Sequence, residues 1–135
     1  MESKLKYSTE ISEIACDLTL FKEYDSRTAY RWVFESIYDV RNFIPVYTNP
    51  NRGRTDCRGW ALSFFEEHLQ ARQRITRLAE NKPKIYNKLG THIALGILGV
   101  NDGMSDDANG DGHFNHFEYI NVNLENKFTV IESLL

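Results

Sequence analysis

The sequence is poor in the residues that would assign it to a special class. Only two cysteines, three prolines and two methionines occur in 135 residues. Two cysteines make no disulfide framework, so Cys16 and Cys57 each need a separate explanation. The formal charge of −3 is too small and too mixed in sign to draw nucleic acid or an anionic membrane as the main partner. No run approaches the roughly 20 apolar residues of a membrane span. The segment MESKLKYSTEISE lacks the apolar core of a secretory signal, so a cytoplasmic chain is expected, or one exported without a classical signal peptide. There is no internal repeat, low-complexity stretch or interdomain linker. With 41% hydrophobic and 13% aromatic residues, residues 1–135 can bury one core but not two, and a single domain is expected.

Periodicity supplies the expected elements. Ile11, Ile14, Ala15 and Leu18 follow a helical spacing with Ser8 or Thr9 as N-cap, and Cys16 lies on this stretch as a small hydrophobe. Tyr30, Val33, Ile37 and Val40, behind Ser26, predict a second helix ending before Pro45. Residues 48–54, TNPNRGR, read as a loop. Ala61, Phe64, His68, Ala71, Ile75 and Leu78 predict a third helix capped by Asp56 and closed by Pro83. After residue 90, HIALGILGV, FEYINV and FTVIESLL are rich in β-branched and aromatic residues and predict three strands, the last two joined by NLENK. Helices followed by strands give an α+β expectation: N-terminal helices packed on a small antiparallel sheet formed by the C-terminal third.

From Asp107 the chain reads D-A-N-G-D-G-H-F-N-H-F-E. A twelve-residue EF-hand loop wants oxygen ligands at positions 1, 3, 5, 9 and 12, glycine at 6 and a backbone carbonyl at 7. Asp107, Asn109, Asp111, Gly112, His113 through its carbonyl, Asn115 and Glu118 fill these places. Ca²⁺ needs about six to eight hard oxygens, and a chain turning sharply at glycine can bring them from one short segment. The loop resembles an EF-hand, but its flanks prefer strands, and no second loop pairs with it. A calcium loop between two strands is therefore expected, with Ca²⁺ as cofactor; an acidic turn that binds nothing is the other reading.

Cys57 falls at the expected start of the third helix, where the helix dipole, Arg54 and Arg58 favour a thiolate. Arg52-Gly53-Arg54, Cys57, Trp60, Ala61 and Phe64 resemble the nucleophile segment of transglutaminase-like proteins, a papain-like branch of cysteine hydrolases. That resemblance implies a papain-like core with Cys57 as nucleophile, His116 as its partner and Glu132 in place of the usual aspartate. Asp56-Cys57-x-Gly59-Trp60, with His92-Ile93-x-Leu95 and His113-Phe114-x-His116, is similar instead to NlpC-type cell-wall peptidases. That similarity implies His92 as general base with His116 orienting it. Either would make the chain a small calcium-binding cysteine hydrolase or acyltransferase cutting amide bonds in a protein, peptide or peptidoglycan substrate. The alternative is a non-catalytic calcium-binding or interaction module. His68, on the apolar stripe of the third helix, reads as structural. Arg72, Arg74, Arg77, Lys82, Lys84 and Lys88 read as a solvated face or a contact for an acidic partner. Zinc is not expected, because the two cysteines are 41 positions apart and no pair has ligand spacing.

Overall fold

The computed structural model describes residues 4–50, 52 and 56–135; Gly53 and Arg54 of the cationic loop lie outside the described residues. Six antiparallel strands form one sheet: β1 (Arg27–Val33), β2 (Leu62–Phe65), β3 (His92–Leu98), β4 (Gly103–Ser105), β5 (His113–Glu118) and β6 (Phe128–Ser133). Their order is β4-β5-β2-β1-β3-β6. The helices are α1 (Ser8–Ser12), α2 (His68–Asn81) and α3 (Tyr86–Leu89). This corrects the expected architecture. The sheet runs through the whole chain, and N-terminal helices stacked on a C-terminal sheet do not exist, nor does the papain-like core.

The second expected helix is strand β1, paired along its full length with β3 from Arg27↔Leu98 to Val33↔His92. Both faces of this strand are covered, so Tyr30 and Val33 belong to opposite sides of a pleat and not to one helical stripe. The third expected helix is three elements. Cys57–Trp60 is a single 3₁₀ turn, Leu62–Phe65 is β2, and only His68–Asn81 is α-helical. Ala61 and Phe64 happened to continue the helical phase of Ala71 and Ile75. A capping box made by Glu67 and Gln70 marks where α2 truly begins. The first helix is confined to Ser8–Ser12 and leaves Cys16 outside it. Of the three expected strands, the first and last correspond to β3 and β6, which pair with each other. The middle one lies earlier, as β5, and pairs with β2 and β4 and not with β6.

The sheet is strongly curled. Phe64 on β2 and Phe128 on β6 are three strands apart in the order, about 14 Å if the sheet were flat, yet their rings stack at 5.5 Å. The concave side therefore closes on itself around Ala29, Val33, Phe64, Ala94, Leu98, Phe114 and Phe128. Residues 34–45 and 122–126 cover its open end, with Ile37, Phe43, Val122 and Leu124 packed against that core. Helix α2 packs on the convex side, where Trp32 Nε1 donates to the Ala71 carbonyl at 2.8 Å and Phe65, Ala71 and Ile93 form a second cluster. The N-terminal segment forms a strap along the β4–β5 side. Leu5 bridges Tyr119, Lys22 bridges Ser105, and Leu5, Ile11 and Phe21 bury against Trp60, Ala61 and Phe117. Among the described residues no helix is long and apolar enough to cross a membrane.

Candidate functional site

Within the twelve-residue segment Asp107–Glu118, residues 107–112 belong to the connection that joins β4 to β5 as a hairpin, and the other six are β5 itself. Asn109 shapes the tip: its Oδ1 accepts the backbone N–H groups of Asp111 at 2.9 Å and His113 at 3.1 Å. Gly112 follows at φ 77, where a Cβ would run into the Gln70 carboxamide. The His113 carbonyl accepts from the Asn109 N–H at 2.9 Å and so closes the turn. Asn115 is held by Asp106, which accepts its backbone N–H at 2.7 Å and its Nδ2 at 2.9 Å. Asp107 is exposed, 3.8 Å from Lys22 Nζ and 3.2 Å from the Tyr24 hydroxyl.

Glu118 belongs to the other end of the hairpin. Five extended residues, at about 3.3 Å each, place its backbone roughly 16 Å from that of His113. Its carboxylate sits 3.9 Å from Lys6 Nζ. The structure thus gathers Asn109, Asp111 and Gly112 at the tip but does not bring Asp107, Asn109, Asp111, His113, Asn115 and Glu118 around one point. An exit helix is what returns the twelfth residue of an EF-hand to its ion, and a strand carries it away. Among the described residues no three His, Cys, Asp or Glu side chains converge as metal ligands. The six residues expected to bind Ca²⁺ are not gathered at one centre in this structure.

Cys57 is bonded to Cys16, with Cα atoms 5.6 Å apart, and is 2% exposed. The expectation of two unpaired thiols is thereby corrected, and the sulfur carries no thiolate in this state. His116 faces the concave interior at 1% exposure. Its Nδ1 is 2.7 Å from the Ser105 hydroxyl, and its Nε2 lies against Gly103, where a Cβ would come within 2.6 Å. Burial drives its pKa down to about 4, with Asp102 opposing, so the ring is neutral. His92 begins β3, three strands away in the order, with Nδ1 2.8 Å from the Thr91 hydroxyl. Glu132 is on β6, its carboxylate 2.6 Å from His68 Nε2 and paired with Arg72. Cys57, His116, His92 and Glu132 therefore have four separate sets of partners.

The structure assembles a different constellation at the open end of the curled sheet. Arg31 projects from β1 into the interior. Its Nε donates to the Asn42 carbonyl at 2.7 Å and its Nη1 to the Ser63 carbonyl at 2.8 Å. Burial lowers its pKa to about 10, and Glu118 opposes the shift. Asn42, 1% exposed, fixes the 34–45 connection. Its Oδ1 accepts from Phe34 N–H at 2.7 Å, and its Nδ2 donates to the carbonyls of Ser36 at 2.8 Å and Ile37 at 3.2 Å. Asp39 accepts from the Arg41 backbone N–H and guanidinium, which hold its carboxyl down at about 2.

Between this connection and the end of β5 lies a pocket of about 280 Å³ bordered by Lys6, Ile37, Phe43, Glu118, Val122 and Glu125. Burial pushes the Glu118 carboxyl up to about 7, against the pull of Lys6 and Arg31. Its Oε1 has no hydrogen-bond partner among the described residues. On the rim Tyr38 is 69% exposed, Val40 79% and Ile44 40%; Val46, 48% exposed, borders the neighbouring cavity beside Arg31 and Phe34. Sequence reasoning missed this site because it assigned Glu118 to an ion and residues 30–40 to a helix. The available signal was a glutamate on the inward phase of a strand, two residues beyond His116 and four beyond Phe114. Comparison of the chain with protein-family models, curated proteins and solved structures found no match.

Proposed function

We propose that this chain is a non-catalytic interaction module that engages a protein partner through residues 37–46. The observation that carries this reading is the exposed loop: Tyr38, Val40 and Ile44 on the pocket rim and Val46 just beyond it are four large apolar side chains exposed within nine residues. Apolar surface concentrated around a concavity is characteristic of a contact surface, whereas scattered exposed hydrophobes are ordinary. The loop bearing them is held from within by Asn42 and Arg31, so it is preformed for binding and loses little freedom on contact. The Cys16–Cys57 bond supports the same reading, since a hydrolase of the expected kind needs the free thiolate. It also favours an oxidising compartment, and so the exported alternative over the cytoplasmic one.

Photo-crosslinking tests the assignment. A benzoylphenylalanine placed at Val40 in the full chain, in extract of the source cells, is expected to yield one discrete adduct. Excess unmodified protein should compete it away, and the same probe at Ile97, on the far side of the sheet, should give none. Adducts equally abundant from both positions would refute the reading, as would turnover of amide substrates by the reduced chain that vanishes in Cys57→Ala.

A further inference from the structure

We infer that the pocket between residues 37–44 and the end of β5 receives a lysine or arginine side chain of the partner protein, its cationic head meeting Glu118. The inference rests on the interaction-module reading and adds the chemistry of the contact. The pocket floor is a carboxylate whose side chain is only 3% exposed. Its Oε1 is without a hydrogen-bond partner among the described residues, and buried carboxylate oxygens are ordinarily satisfied. Lys6 does not complete it, for 3.9 Å from Nζ to Oε2 is beyond hydrogen-bond length. Of the charged residues of the lining, Asp39 is already paired with Arg41, which leaves Glu118 and Glu125 with Lys6 as the one cation among the described residues that borders the pocket and Arg31 acting on Glu118 from the interior.

The walls define the rest of the guest. Ile37, Phe43 and Val122 are apolar and suit an alkyl stem, while the terminal carboxylate suits the charged tip that such a stem carries. A purely apolar anchor would leave Oε1 unsatisfied. At about 280 Å³ the pocket is at the small end of ligand cavities, which run from about 300 to 1,000 Å³. That is room for a side chain more than for a cofactor. Tyr38, Val40 and Ile44 on the rim would pack around the inserted stem and exclude water from the ion pair, the arrangement that makes one residue dominate an interface.

The test titrates the isotopically labelled full chain at fixed, mildly alkaline pH with Nα-acetyl-lysine methylamide and its norleucine counterpart. The lysine compound in large excess is expected to shift the Glu118 carboxyl carbon and the Ile37 and Val122 amides along a saturable curve. Its affinity should exceed that of the norleucine compound about tenfold or more, the ratio expected for one hydrogen bond to a charged group. Glu118→Gln should bring the two affinities together while the remaining amide spectrum is kept. Equal affinities in the unaltered chain, or shifts that avoid the pocket, would overturn the proposal. So would tighter binding of butylammonium than of the lysine compound, which would assign the pocket to free amines. The two readings fail separately. Lysine binding at Glu118 without the Val40 crosslink sinks the interaction module, and the crosslink without lysine binding sinks the cation pocket.

Discussion

Cys16 and Cys57 are joined across 41 residues of chain, and the bond pins the N-terminal strap to the 3₁₀ turn that precedes β2. Cross-linking a loop of this size lowers the entropy of the unfolded chain by the equivalent of about 4 kcal/mol at room temperature. The double variant Cys16→Ala/Cys57→Ala is therefore expected to unfold at clearly lower urea concentration, with a stability loss of that order. Thiol titration of the denatured, unreduced protein should find no free thiol. Two reactive thiols and an unchanged urea midpoint would contradict the finding.

Calcium is expected to leave the thermal unfolding curve where it is. A site filled at one hundred times its dissociation constant would add about 2.7 kcal/mol and raise Tm by several degrees in a chain of this size. Differential scanning calorimetry with millimolar Ca²⁺ and with EGTA decides the matter. A rise of that size, lost in Asp111→Asn and in Glu118→Gln alike, would restore the calcium loop.

His116 makes the fold sensitive to acid. Its folded pKa of about 4 lies below the ordinary histidine value of 6.5, so between those two pH values the unfolded chain binds a proton that the folded chain does not. Stability from this group is whole above pH 6.5 and is lost as pH falls toward 4, by about 3 kcal/mol over the window. His116→Gln should flatten that part of the stability profile, whatever its effect at neutral pH. Parallel profiles for the two proteins would count against a buried neutral imidazole.

Glu118 acts in the opposite direction. With its pKa raised from 4.5 to about 7, the folded chain retains a proton that the unfolded chain has released. Its contribution is therefore present below pH 4.5 and lost as pH rises through 7. Relative to wild type, Glu118→Gln should gain about 3 kcal/mol of stability between pH 4.5 and pH 8, as measured by urea denaturation. A constant difference between the two would mean that the carboxylate is solvated.

Some of this architecture was legible in residue order. Strands β3 and β6 declared themselves because HIALGIL and FTVIES combine β-branched residues with turn formers at their ends. The flanks of the acidic loop read as extended, and the segment does join two strands. Strand β1 was hidden because both its faces are covered and its interior face carries Arg27 and Arg31, so apolar residues did not alternate. Strand β2 was hidden because four residues are too few to set a period of their own beside a long helix. At the loop the ligand types were legible but their convergence was not, since oxygen atoms at fixed sequence spacing meet only if the backbone beyond them turns back. The pocket was illegible for a related reason: Lys6, Ile37, Glu118 and Val122 are neighbours only because the sheet curls. The disulfide is not deducible from two cysteines 41 positions apart, one of which lies on a stretch with helical spacing.

The strand order carries a consequence for how fast the molecule can assemble. Two consecutive pairs exist, β1 with β2 and β4 with β5, and the first of them spans a long connection; β1 must wait for β3, β2 for β5 and β3 for β6, each across long intervening chain. Closing such distant partners loses chain entropy before any contact compensates for it, and domains dominated by non-local pairing fold in milliseconds to seconds, not microseconds. Until β3 seats between β1 and β6, one edge of β1 has no backbone partner, and the newly made chain passes through a sticky, half-paired stage. An oxidant that joins Cys16 to Cys57 early would shorten that exposure by holding the strap and the start of β2 in the same neighbourhood.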